Sequence, residues 1–149
     1  MKEALKESNY IRKFNQINSL IVTSLDEAYE PFHLVGMQHI FVTVICRNPG
    51  IQQKQFNDLF SLHGSNITRN IHMLEKDGYL TREKDPNDSR GWLLYPTKKA
   101  KQHYKEIVKI FDALQSDLLK GFSQKEESMF SEFLNRILNN LQKTESVDR

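Results

Sequence analysis

Cysteine is nearly absent. Cys46 stands alone in 149 residues, which excludes an internal disulfide framework and a cysteine-based zinc ribbon. The fold must therefore stand on packing, as suits a reducing compartment. Long apolar runs are missing too. No stretch reaches the ~18 consecutive apolar residues of a membrane span, and the segment from Met1 to Glu7 mixes acids with bases instead of leading into an apolar signal core. The expectation is a soluble, cytoplasmic protein with no membrane association. The six glycines form no phosphate-cradling loop, the five histidines are scattered, and no serine or cysteine nucleophile is paired in sequence with a base. These absences argue against an enzyme, a catalytic residue, a cofactor and a metal centre.

Charge of one sign is also lacking. A net charge of +2 neither demands nor excludes a nucleic-acid partner, so distribution has to decide. Between Ile51 and Tyr104 nine basic side chains face six acidic ones, a surplus larger than that of the whole chain. The middle is the basic part, and the flanks are slightly acidic.

What is present is helical periodicity. From about Leu5 to Tyr29, Ile11, Phe14, Ile17, Ile21 and Leu25 recur at steps of three and four, the mark of an amphipathic helix that Pro31 ends. After Phe32 to Gly36 a short apolar helix carries Met37, Ile40, Phe41, Val44 and Ile45, and stops at Asn48-Pro49-Gly50. Two short helices follow, roughly Gln52 to Phe60 with Phe56, Leu59 and Phe60 inward, and Ser65 to Asp77 with Ile67, Ile71 and Leu74 inward. Gly78 sits where a left-handed cap belongs. The period then changes. Tyr79 to Glu83 and Trp92 to Tyr95 read as strands around a polar tip from Lys84 to Gly91. Thr97 is placed to cap a long helix with Tyr104, Ile107, Phe111, Leu114, Leu118 and Phe122 on one face. Gly121 to Gln124 interrupts it, and a last helix carries Phe130, Phe133, Leu134, Ile137, Leu138 and Leu141 before a polar tail from Lys143, expected to fray.

The predicted class is mainly α (α+β): a winged helix-turn-helix with a two-stranded β wing and long terminal helices. Such a unit presents one helix to the DNA major groove and a hairpin loop to the adjacent minor groove. On the Ser65 to Asp77 helix the buried face leaves Ser65, Asn66, Thr68, Arg69, His72 and Lys76 for the major groove. Arg69 is the candidate for a guanine edge, because its planar fork matches O6 and N7 together. In the wing, Asp88, Arg90 and Lys84 are the candidates, with the Asp88 carboxylate expected to hold the Arg90 guanidinium for a narrow minor groove. Taken singly, these residues are equally a solvated helix face and a turn with an incidental ion pair.

In this order the residues resemble the MarR family of bacterial regulators. Pro49-Gly50-Ile51 is similar to the opening of the family's short helix, and Ile67-Thr68-Arg69 with Leu74-Glu75-Lys76-Asp77-Gly78-Tyr79-Leu80 to its recognition helix and exit. Asp85-Pro86-Asn87-Asp88-Ser89-Arg90 and Thr97-Lys98-Lys99 are similar to its wing and next helix. Pro96, Ala100 and the turn Phe60-Ser61-Leu62-His63-Gly64 depart from the pattern. The resemblance implies double-stranded DNA as partner, a pseudo-palindromic operator, a repressor's role and a homodimer. Residues 1–34 and 98–149 would intertwine between two winged lobes of residues 35–97. The apolar stripes agree, since a lobe of about 60 residues can hardly cover them.

The family further implies release by a small aromatic or anionic effector, for which Tyr10, Phe14, Phe32, Phe41, Tyr104 and Phe111 are available if they are not core. Cys46 beside Arg47 does not match the first-helix position of the family's oxidant sensors, and His39 and His103 echo only part of its zinc site. The rival function is a winged-helix module that binds protein, as an antirepressor or adaptor, against which the retained Arg69 and Arg90 argue.

Overall fold

The computed structural model describes residues 9–60 and 64–145, except the side chains of residues 57, 58, 60, 65 and 143–145. The chain divides into two compact units at Asp112/Ala113.

In the first unit, α1 (Tyr10–Tyr29) starts at Asn9, whose side-chain oxygen accepts from the Arg12 amide at 3.0 Å. The expected beginning near Leu5 lies outside the described residues. The helix gives way at Glu30–Phe32 to a single 3-10 turn that holds Pro31, a residue that supplies no amide to continue an α-helix. After it comes α2 (Gln38–Arg47), with Phe41, Val42 and Ile45 buried.

Next the structure departs from expectation. Ile51–Gln52 form a short strand, β1, instead of the opening of a helix. Gly50 N donates to Leu94 O at 2.8 Å and Gln53 N to Trp92 O at 2.9 Å, so the backbone bonds of this stretch go to a distant strand. Only then does α3 (Gln55–Phe60) begin. Phe56 is buried and stacks on Phe41 at 4.8 Å, but Leu59, expected inward, is exposed. The segment 61–63 lies outside the described residues.

The helix α4 (Gly64–Lys76) buries Ile67, Ile71 and Leu74, each worth roughly 1.5–3 kcal/mol. It ends in a Schellman motif: Tyr79 N reaches Leu74 O, Gly78 N reaches Glu75 O, and Gly78 takes a left-handed φ of 74°. The strands β2 (Leu80–Asp85) and β3 (Asp88–Pro96) follow, and the sheet is antiparallel in the order β1-β3-β2. It is three-stranded where two strands were expected, and its tip is narrower, leaving Pro86 and Asn87 between the strands.

Thr97 caps α5 (Lys98–Leu118), accepting from Ala100 N at 3.3 Å and donating to Gly78 O at 2.6 Å. One threonine thus joins the end of α4 to the start of α5. Tyr29 donates its hydroxyl to Ile107 O at 2.9 Å, and Tyr79 to Phe32 O at 2.8 Å. Both phenols are pushed up to about 12, chiefly by burial.

In the second unit, after the turn at Gly121, Ser123 and Glu126 form a capping box for α6 (Gln124–Glu145). These bonds hold the Glu126 carboxyl below its usual range. The helix continues through Thr144 to Glu145, beyond the expected fraying point at Lys143, and residues 146–149 lie outside the described residues. Met129, Phe130, Phe133, Ile137, Leu138 and Leu141 are exposed along it. Among the described residues no helix is long and apolar enough to cross a membrane.

Candidate nucleic-acid interface

The face of α4 opposite Ile67, Ile71 and Leu74 is polar. Asn66, Thr68, Arg69, His72 and Lys76 are all exposed on it, and the side chain of Ser65 lies outside the described residues. The Asn70 amide turns back to Asn66 O at 2.9 Å. The face is split by depth. Thr68 lines a cleft of about 320 Å³ toward the wing, together with Gln53, Lys54, Asp88, Arg90 and Trp92. Asn66 and Arg69 instead line a recess of about 260 Å³ on the other flank, beside Val35, Met37 and Met73. The structure therefore brings Thr68 and Arg90 to one cleft, while Arg69 lines a different recess. His72 and Lys76 line neither.

The wing is rigidified from beneath. Asp85 is buried and accepts from Gln52 Nε2 at 2.6 Å and Asn87 N at 2.9 Å, so the strand ends are pinned by a side chain instead of a longer loop. Gly91 fits closely here: a Cβ would stand 3.1 Å from side-chain atoms of both Asp85 and Asp88, so one of them would have to shift by a few tenths of an ångström. Lys84 lies with its ammonium 4.0 Å from the Trp92 ring centroid, and Arg82 sits over the same ring at 5.0 Å. Arg82 also meets Glu75 at 2.7 Å, which ties β2 to α4.

The role expected of Asp88 is corrected. Its Oδ1 accepts from the Arg90 backbone amide at 3.0 Å, and its Oδ2 lies 3.6 Å from Lys54 Nζ. Asp88 shapes the turn and pairs with a lysine 34 positions earlier. Among the described residues nothing holds the Arg90 guanidinium, which is exposed. Gln53, Lys54 and Trp92 were missed by sequence reasoning. The polar run Gln52-Gln53-Lys54-Gln55 ahead of Phe56 was the available signal, once read as a turn leading into a helix.

The sensor candidates each make local contacts. Cys46 is half-buried, and burial raises its thiol against a smaller lowering by Lys101. Its neighbour Arg47 donates Nε to the Tyr104 hydroxyl at 2.8 Å. His39 is buried against the Tyr29 ring at 4.6 Å, while His103 packs on Phe32 at 5.2 Å and lies 3.9 Å from Glu106. Among the described residues no group of three or more His, Cys, Asp or Glu could hold a metal. Of the aromatics considered for an effector pocket, Phe41 is core, Tyr10, Phe14 and Phe111 are exposed, and none lines the cleft or the recess.

Comparison with known proteins agrees with this architecture. The MarR family profile matches residues 34–91. The regulator YybA of Bacillus subtilis, an uncharacterised HTH-type transcriptional regulator, is 25% identical over 144 residues, 96% of this chain and 91% of its own. A MarR protein from Peptoclostridium difficile superposes with a TM-score of 0.85 at 25% identity, covering 94% of this chain and 92% of that one. A MarR family regulator from Listeria monocytogenes, crystallised with a 26mer DNA, gives 0.82 at 26% identity over 92% of this chain and 91% of its own.

Proposed function

The chain belongs to the MarR family of DNA-binding transcriptional regulators, and from that premise we propose that it acts in the cytoplasm as a homodimeric repressor on a pseudo-palindromic operator. The observation that carries this reading is the shared cleft of Thr68 and Arg90, which aligns a polar recognition helix with an arginine-tipped hairpin. In this reading Ser65, Asn66, Thr68, Arg69, His72 and Lys76 enter the major groove, and Arg90, shaped by Asp88 and flanked by Lys84, enters the minor groove. The Listeria relative solved with DNA supports it by likeness.

Residues 1–34 and 98–149 form the dimerisation region, and residues 35–97 the DNA-binding lobe. Exposed apolar side chains on α1 (Tyr10, Ile11, Phe14, Ile17) and, separately, on α6 support the pairing of two chains. Symmetry then sets the half-sites one helical turn apart, roughly 34–36 Å. Release by a small aromatic or anionic effector completes the reading, and a thermal-shift screen of aromatic carboxylates and phenols tests that part.

The test of the whole is selection from a random duplex pool by the purified chain. Enrichment of an inverted repeat with centres about 10 bp apart is expected. Retention of no duplex at low salt sinks the reading.

A further inference from the structure

The cleft between α4 and the wing has contents that base reading does not use. We propose that it seats one phosphate of the DNA backbone, with Lys54 as its charge partner and the Gln53 amide as its neutral donor. The inference rests on the DNA-binding reading above. A helix in the major groove and a hairpin in the neighbouring minor groove straddle one sugar-phosphate strand, because that strand is the wall between the two grooves. Whatever lies between Thr68 and Arg90 therefore faces backbone.

The chemistry fits an anion. Gln53 Nε2 lies 3.3 Å from Thr68 Oγ1, while Gln53 Oε1 is buried with no hydrogen-bond partner among the described residues. The bond to Thr68 uses one of the two Nε2 hydrogens and leaves the other for an acceptor in the cleft. A phosphate oxygen is the matching acceptor. Lys54 brings a mobile point charge, which suits a phosphate better than the fixed geometry of a base edge.

Asp88 stands in the same cleft, 3.6 Å from the Lys54 ammonium. With 63% of the Lys54 side chain and 39% of the Asp88 side chain exposed, the pair contributes little stability. Its carboxylate acts as an internal competitor: Lys54 exchanges Asp88 for the phosphodiester on binding, and Asp88 keeps its bond to the Arg90 amide.

The test is fluorescence anisotropy of a labelled random-sequence duplex of about 30 bp, long enough for two half-sites, titrated with NaCl. Non-specific binding is read by phosphate contacts alone, so no operator is needed. Lys54→Met is expected to lower the slope of log K against log salt by about 0.9 per site. Asp88→Asn, whose Oδ1 still accepts from the Arg90 amide, is expected to tighten binding a few-fold. Lys13→Met, on α1, should leave the slope as in wild type. An unchanged slope in Lys54→Met, an equal drop in Lys13→Met, or weaker binding by Asp88→Asn overturns the phosphate seat while DNA binding stands. A wild-type chain without affinity for the duplex brings down the underlying reading instead.

Discussion

Glu75 Oε2 and an Arg82 Nη atom meet at 2.7 Å, joining the last turn of α4 to the third residue of β2. Both side chains are largely covered, so the pair is screened less than a surface bridge. Arg82 also lies over the Trp92 ring, so one guanidinium bridges α4 and the β2-β3 hairpin.

Removing the carboxylate should loosen that bridge. Glu75→Gln is expected to cost about 1–2 kcal/mol in urea unfolding, the difference between a hydrogen bond to a charged group and a neutral one, and to weaken DNA binding with no change of salt slope. An unaltered midpoint and affinity would show that the wing is oriented by the sheet alone.

Arg90 is expected to behave as a single cationic contact. Its guanidinium is free among the described residues and its backbone amide is held by Asp88 Oδ1, so Arg90→Ala should leave the fold intact. The salt slope on the selected operator should fall by about one. A variant with the wild-type slope places Arg90 outside the interface.

Arg69, on the other flank of α4, should act on sequence preference. Arg69→Ala is expected to relax selection at one position per half-site, at about 1–3 kcal/mol against the best site. Uniform weakening across all sequences would make it a phosphate contact.

These assignments differ in how far the sequence alone discloses them. The buried face of α4 is legible because Ile67, Ile71 and Leu74 repeat at the helical period and nothing distant is needed to place them. The caps are legible for the same local reason: Gly78 and Thr97 act within a turn of their own positions. β1 is not, since two residues have no period and Ile51 and Gln52 are strand only because Leu94 and Leu93 lie opposite. The hairpin tip looked longer than it is, because the polar residues Asp85 and Asp88 form strand ends once their carboxylates find Gln52 and Lys54. Leu59 was assigned inward by spacing, but α3 is too short for its period to bind it to the core. The partners of Asp88 and Gln53 are tertiary facts, and so the cleft was invisible.

His39 supplies a pH dependence. Burial holds its imidazole below the usual value of 6.5, against smaller upward pulls from the Gly36 carbonyl and Asp26. The native state thus binds its proton less tightly than the unfolded chain, so this stability is present above about pH 6.5 and is lost as pH falls through the lower native value. His39→Phe, which keeps a ring against Tyr29, should flatten the fall in unfolding free energy between about pH 7 and 5. Parallel curves for variant and wild type would assign the acid limb to other groups.

Dimerisation makes a counterintuitive prediction about exposed residues. In an isolated chain Ile17 and Leu138 are solvent-facing, 49% and 55% exposed, so replacing either by glutamate should change stability by no more than about 0.5 kcal/mol. If those faces are covered by a second chain, Ile17→Glu and Leu138→Glu each bury a charge at the interface, which is strongly unfavourable unless it finds a partner. Sedimentation should then show monomers at concentrations where the wild type is dimeric, and operator affinity should fall because two half-sites are no longer linked. A monomeric wild type, or dimers of undiminished strength in both variants, would mean that these faces do not join two copies of the chain.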